Sequence, residues 1–215
     1  MIGLIPARRG SKRIPGKALK LIQGKPLIQY TFEAAEKSNL NKYYLTSDYS
    51  FNELEKVIDL KEFNKLEIIE RPENMAKSDS PINLYLDHAI DRIHPKLKFS
   101  SICLLQPTCP LRTYTDINKA IEIYNGGSLP GLVSAYRIAK GQCYQDNFSS
   151  LFKDTIYNKD DIIYVRNSSI YIFDLIYYLK HRTIFVNPTH VFEMDMARSI
   201  DINTQIDIDF CEKML

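Results

Sequence analysis

The sequence predicts an α/β fold, a doubly wound and mostly parallel Rossmann-like sheet with helices on both faces. Three observations carry that prediction. Apolar runs of strand length alternate with amphipathic segments of helix length from Met1 to Gly127. The apolar runs lack the polar alternation of a sheet that faces water on one side. And 215 residues, 45% hydrophobic and 25% charged, are enough for one ordinary domain.

Residues 1–7 are continuously apolar and end at a basic loop, as a buried parallel strand would. Residues 26–38 space Leu27, Ile28, Tyr30, Thr31, Ala34 and Ala35 close to helical periodicity, behind a proline at the first helical position. Residues 42–47 read as a strand, 52–60 as a helix and 66–70 as a strand. Asp79-Ser80-Pro81 starts a helix whose apolar face is Ile82, Tyr85, Leu86, Ala89, Ile90 and Ile93. Residues 101–106 are a further buried strand, and Thr113 or Thr115 caps a helix that stops at Gly126-Gly127. After Gly131 the alternation degrades. Residues 140–166 are rich in Tyr, Asn, Asp and Ser, strands return at 162–166 and 169–173, and a last helix covers 204–214. Residues 1–215 therefore read as a single domain, with the segment around 140–166 as an excursion suited to a dimerisation arm or a lid. Ligands of such sheets bind at the carboxyl ends of the strands, so the loops after Ala7, Ser47, Glu70 and Gln106 are predicted to share one functional edge.

Lys and Arg number 28 against 26 Asp and Glu, a net charge of +2, which argues against a strongly basic nucleic-acid binder. The distribution says more than the sum. No acidic residue precedes Glu33, yet that stretch holds Arg8, Arg9, Lys12, Arg13, Lys17, Lys20 and Lys25, which leaves 21 cations against 26 anions in the remainder. No apolar run approaches the roughly 18–20 residues that span a bilayer, and the first residues lack the basic lead and apolar length of a signal peptide. The expected location is the cytoplasm, with neither membrane nor nucleic acid as partner. Cys103, Cys109, Cys143 and Cys211 lack C-x-x-C spacing and are expected to be mostly buried, reduced thiols.

The loop Ala7-Arg-Arg-Gly-Ser-Lys-Arg-Ile-Pro-Gly-Lys17 leaves the first strand directly. Its glycines, backbone amides and clustered cations suit a polyphosphate. It is not a Walker A loop: five residues separate Gly10 from Gly16, and Ala18 stands where a magnesium-binding hydroxyl would follow the lysine. The dinucleotide pattern G-x-G-x-x-G is absent as well.

Ile5 to Lys17, I-P-A-R-R-G-S-K-R-I-P-G-K, resembles the signature I-P-A-R-G-G-S-K-G-I-P-x-K-N of the acylneuraminate cytidylyltransferases, the CMP-sialic acid synthetase family. Further matches follow in order. They are Thr46-Ser47-Asp48, Arg71-Pro72-Glu73 with Asp79, Leu104 to Thr113 (L-L-Q-P-T-C-P-L-R-T), Asn167 to Ile172 for N-G-A-I-Y-I, and Ser199 to Thr204 for S-I-D-I-D-T. The resemblance implies a nucleotidyltransferase that moves CMP from CTP to the anomeric hydroxyl of a nonulosonic 2-keto sugar acid and releases pyrophosphate. It also implies a homodimer. Ala7, Arg8, Gly10, Ser11, Lys12 and Lys17 would hold the triphosphate, Arg71 and Ser80 would flank the cytidine, and Gln106, Asn167 and Tyr171 would lie on the sugar side. Lys17, Arg8 and Asp201 would be the catalytic group, and Mg²⁺ would be held by Asp201 and Asn203.

The chain departs from the family pattern at several of these positions. Asn203 replaces the second aspartate, Arg9 a glycine, and Ala18 an asparagine. The R-Q pair common before Asn167 in sialic acid enzymes is missing, so the acceptor can equally be a pseudaminic, legionaminic or Kdo-type acid. A catalytically impaired relative that only binds nucleotide is the other reading left open. Two remaining readings are weaker. The D-x-D spacing at Asp207-Ile208-Asp209 is short and falls on a helix, and the basic loop lacks the interleaved aromatics of a single-strand RNA platform.

Overall fold

The computed structural model describes residues 1–77, 80–95, 97–139, 155–159 and 162–215. Asp79, Cys143 and most of the excursion predicted at 140–166 lie outside them. The helix predicted to start at Asp79-Ser80-Pro81 can therefore be followed only from Ser80 onward.

β1 (Ile2–Ala7), β4 (Tyr43–Ser47), β5 (Leu66–Glu70) and β6 (Ser101–Leu105) run parallel. β9 (Ile162–Asp174) is antiparallel to β6 and to β7 (Gly131–Ala139), while β10 (His190–Glu193) pairs parallel with β7. The sheet order is β10-β7-β9-β6-β1-β4-β5, with β8 (Thr155–Lys159) on β9. Beside it, β2 (Leu21–Ile22) and β3 (Lys25–Pro26) form a small antiparallel pair. From β1 the chain steps outward to β4 and β5, then returns to the other flank of β1 as β6. That reversal makes the carboxyl ends of β1 and β6 the switch point where such sheets open a crevice.

Both faces are covered, as the unbroken apolar strands predict. Ile5, Leu45, Cys103, Leu105 and Ile172 pack with α1 (Leu27–Lys37), α2 (Phe51–Glu55) and α4 (Tyr114–Gly126). Their strand neighbours Ile2, Leu4, Tyr44, Ile102, Leu104 and Phe173 pack with α3 (Ile82–Ile93) and α5 (Leu175–His181) on the opposite face. Of the two capping threonines considered, Thr113 is the one used: it accepts from the Asp116 amide, and Asp116 reaches back to the Thr113 amide. Gly127 ends α4 in an extended conformation. A Cβ added there would stand 2.0 Å from the His190 ring, which would have to shift to admit it.

Two expectations need correction. The helix predicted at 52–60 is only five residues long, followed by a 3-10 turn at Leu60–Glu62. The two strands predicted at 162–166 and 169–173 are one strand, β9, with an irregular register opposite Val133 and Ala135 and with Ser168 at φ 60°. Polar side chains take over the backbone pairing there. Ser134 Oγ donates to Asn167 Oδ1 at 2.6 Å and accepts from the Ile170 amide at 2.8 Å.

A third, smaller core of Ile22, Leu27, Leu111, Ile202, Ile208 and Cys211 ties the C-terminal helix α6 (Gln205–Met214) and the segment before it to the β2–β3 hairpin. Ile202 is completely buried there, worth about 1.5–3 kcal/mol for a side chain of that size. Cys103, Cys109 and Cys211 are buried free thiols, and burial pushes Cys103 and Cys109 up to about 12. Among the described residues, no helix is long and apolar enough to cross a membrane.

Candidate active site

Register places Ala7 beside Ser47 and Ser47 beside Glu70, so the predicted loops do leave one edge. At the switch point the loops after Ala7 and Gln106 help to enclose a recess of about 580 Å³, which the loops after Ser47 and Glu70 do not line. The basic loop contributes Ala7, Arg8, Ser11, Lys12, Arg13, Lys17 and Ala18. The end of β6 contributes Gln106, Pro107 and Thr108, β9 contributes Ser168, and the segment before α6 contributes Asp201 and Asn203.

Four of the seven early cations therefore face this recess. Two others are neutralised locally: Arg9 forks onto Glu53 at 2.8 Å and lies over the Tyr49 ring, and Lys25 pairs with Glu33. Arg9 adds no free charge to the cradle. Its amide donates to Asp48 Oδ1, and its guanidinium pins the loop to Glu53 of α2. Gly16 is the glycine the loop needs, at φ 63° ahead of the 3-10 turn Lys17–Leu19. Gly10 is exposed, does not line the recess, and would have only the Ala76 carbonyl near an added Cβ.

Lys17 is half-buried and donates to the Ile202 carbonyl at 2.5 Å. Burial holds its ammonium below the ordinary lysine value, with Asp201 acting the other way. Asn203 Oδ1 accepts from Arg13 Nη2 at 2.7 Å and lies 3.5 Å from Lys17 Nζ, while its Nδ2 donates to Asp201 Oδ2 at 3.1 Å. Asp201 is not a helix cap. Thr204 caps α6 with Asp207, and Asp207 Oδ2 also accepts from the Asn203 amide at 2.8 Å. Burial works to raise the Asp207 carboxyl, but the Asn203 and Thr204 hydrogen bonds prevail and hold it below the usual range. Asp207 of the D-x-D pair is thus engaged as a cap and does not line the recess.

The predicted cytidine pair sits next door. Arg71, Ser80, Met75, Lys77, Ile82 and Tyr85 line a recess of about 260 Å³ that shares Arg8 with the larger one. Arg71 is only 6% exposed, stacks 4.5 Å over the Tyr85 ring and donates to the Thr46 carbonyl at 2.8 Å. A guanidinium has five N–H donors, so two bonds to Thr46 leave it able to meet a planar polar ligand.

Of the predicted sugar-side residues, only Gln106 lines the large recess. Asn167 is 3% exposed, with its amide engaged by Ser134, Ser169, Ser199 and Met194, so it shapes the bulge. Its neighbour Ser168 takes the place at the wall. Tyr171 is buried and lines a separate cavity of about 240 Å³ with Arg166 and Phe185.

Sequence reasoning missed two further residues. Arg112 is 2% exposed and donates to the carbonyls of Gln106 and Ser169 and to Thr31 Oγ1, at 3.1, 2.8 and 2.7 Å, clamping β6, β9 and α1 together beneath the recess. An arginine in the apolar run C-P-L-R is the signal that could have found it. Arg198 pairs with buried Asp116 at 2.5 Å and so anchors the strand-to-helix segment that carries Asp201.

A doubly wound sheet with a cationic crevice at its switch point, and an aspartate facing the cations, is an arrangement suited to a nucleotide polyphosphate. The chain belongs to the cytidylyltransferase family, whose model matches residues 2–214. It is a nucleotidyltransferase. It is 32% identical to the CMP-N,N'-diacetyllegionaminic acid synthase of Legionella pneumophila, covering 100% of this chain and 96% of that protein. It is 31% identical to the N-acylneuraminate cytidylyltransferase of Escherichia coli O18:K1:H7, over 97% of this chain but only 50% of that longer protein. In fold it matches a CMP:2-keto-3-deoxy-manno-octonic acid synthetase solved with CTP, at a TM-score of 0.67 and 16% identity over 99% of this chain and 97% of the other.

Proposed function

We propose that this protein transfers CMP from CTP to the anomeric hydroxyl of a nonulosonic acid, as a cytoplasmic homodimer that requires Mg²⁺. The observation that carries the reading is the recess itself: four cations of the β1 loop face Gln106, just past β6, and Asp201 of the C-terminal segment across one cavity. In the reaction the hydroxyl oxygen bonds to the α-phosphorus, the bond from that phosphorus to the bridging oxygen breaks, pyrophosphate leaves, and the hydroxyl proton is released.

The chain's own residues supply binding and alignment. Arg8, Lys12, Arg13 and Lys17 offset the triphosphate charge, and Lys17, held by the Ile202 carbonyl, is suited to the phosphate nearest the wall. Arg71 and Ser80 are suited to the base in the adjoining recess. Gln106 and Ser168 face the position left for the acid. Asp201 fits a cation, because its Oδ1 is buried and has no protein partner. Asn203 fits one less well, its carbonyl oxygen being engaged by Arg13 and Lys17. Among the described residues no three acidic, histidine or cysteine side chains converge, so a bound Mg²⁺ would draw most of its ligands from phosphate and water. When bound it would neutralise charge on the transferred phosphate and the leaving group.

The homodimer is supported by the exposed Ile176 and Leu179 on α5, three residues apart on one face, and the cytoplasmic setting by the need for CTP. The test is a panel. With CTP and Mg²⁺, pyrophosphate release is expected for at least one of the N-acetylneuraminic, diacetyllegionaminic, pseudaminic and Kdo acids, and it should cease in EDTA. Silence across the panel with CTP still bound would favour the reading in which the chain only binds nucleotide.

A further inference from the structure

Two positions where the chain departs from the family signature, Arg13 in place of glycine and Asn203 in place of aspartate, meet in space: Arg13 Nη2 donates to Asn203 Oδ1 at 2.7 Å. We propose that Asn203 is a positioning residue whose neutral carboxamide holds Arg13 and Lys17 at the triphosphate with no carboxylate in direct contact with either, so that this enzyme binds the nucleotide polyphosphate without a divalent cation. The proposal rests on the reading of the recess as a CTP site.

The orientation of Asn203 is set by its neighbours. Its carbonyl oxygen faces two cations, and its amide nitrogen donates to both the backbone carbonyl and the carboxylate of Asp201, at 3.2 and 3.1 Å. A flipped amide would turn N–H groups on Arg13 and Lys17 and an oxygen on Asp201, losing all of these contacts. The asparagine backbone is equally fixed, by the bond from its amide to Asp207 and by buried Ile202 before it, whose amide donates to the Thr108 carbonyl.

Neutrality is what matters at this position. An oxygen 2.7 Å from a guanidinium orders that long side chain whether or not it bears charge. A carboxylate there would form an ion pair with Arg13 and a second, longer one with Lys17, and would compete with the phosphates for both. With asparagine, Arg8, Lys12, Arg13 and Lys17 face the recess against the single carboxylate of Asp201, whose Oδ1 stays free. The substitution thus trades a carboxylate for affinity toward the polyanion.

The experiment is calorimetric titration of the full chain with CTP in EDTA at fixed ionic strength, with thermal melts as the fold control. Wild type is expected to bind. Arg13→Ala should weaken metal-free binding about tenfold and Asn203→Asp about 10- to 150-fold, the range of one charge-assisted contact. Asn203→Ala adds no charge and should cost only about two- to fivefold, which separates charge from shape and keeps the test open should the aspartate variant fold poorly. In an Arg13→Ala background the Asn203→Asp penalty should shrink several-fold, and Asn203→Asp alone should bind Mn²⁺ more tightly than wild type. Wild type that binds no CTP in EDTA, or Asn203→Asp that binds it as wild type does, overturns the proposal. If the binding pattern holds but no sugar acid is turned over, the functional reading fails and this one stands; if an acid is turned over while these variants leave metal-free binding unchanged, the reverse is true.

Discussion

Lys17→Ala isolates the phosphate cradle. The ammonium lies in the recess wall 2.5 Å from the Ile202 carbonyl and 3.5 Å from Asn203 Oδ1. Its removal should spare the fold, because Ile202 remains buried and its amide still donates to Thr108. On the proposed reading the loss is one charge-assisted contact to phosphate, about 1.5–3 kcal/mol, which at about 1.4 kcal/mol per decade is a fall of about 10- to 150-fold in kcat/KM. Lys37, exposed in the last turn of α1, is the matched control and should change kcat/KM by less than about twofold. The assay is pyrophosphate release at varied CTP and saturating acid, with melting curves for both variants. Equal effects of the two substitutions, or a Lys17→Ala loss that tracks a lowered melting temperature, would refute the placement of the triphosphate.

Arg112→Met should leave two buried acceptors and one part-buried acceptor without their donor and cost about 3–5 kcal/mol, a drop of about 6–20 °C in Tm by calorimetry for a domain of this size. Ser168→Gly relieves a left-handed residue, worth about 1–2 kcal/mol less the flexibility of glycine, so Tm should rise by about 1–4 °C even as a side chain is lost from the recess wall. Acid titration of stability should show a loss of native protein beginning near the ordinary carboxylate pKa of about 4. The hydrogen bonds of Asp116 to Arg198 and Thr113, and of Asp207 to Asn203 and Thr204, outweigh burial and depress both groups. Their contribution is therefore full above the unfolded value and lost as pH falls through the lower folded values. Asp116→Asn should flatten that acid limb.

The alternation of strands and helices up to Gly127, and the edge that the loops after Ala7, Ser47 and Glu70 share, were legible because they rest on periodicity. The run S-I-C-L-L is buried at every position, and a strand covered on both faces can be read that way. The cradle was legible from the bare charge asymmetry and from spacing, although three of its seven cations do other work or none in the recess. Arg9 illustrates why: its partner Glu53 is 44 positions away, and nothing local announces the pair. The same holds for Asn167, whose residue type fits a ligand contact as well as a bulge bracket. Ser168 was invisible, since the positive φ that turns it toward the recess is imposed by Asn167 and Ser134 together. Register slips of this kind depend on long-range pairing, which no window of the sequence contains.

Isotope tracing with CTP labelled at the α- or the γ-phosphate tests the central claim most directly. With Mg²⁺ and an acid that the panel shows to be accepted, the α-label should appear on the sugar acid as CMP and the γ-label in free pyrophosphate. A γ-label on the acid, or α-label released at the same rate without any acid, would contradict the assignment of this recess to cytidylyl transfer.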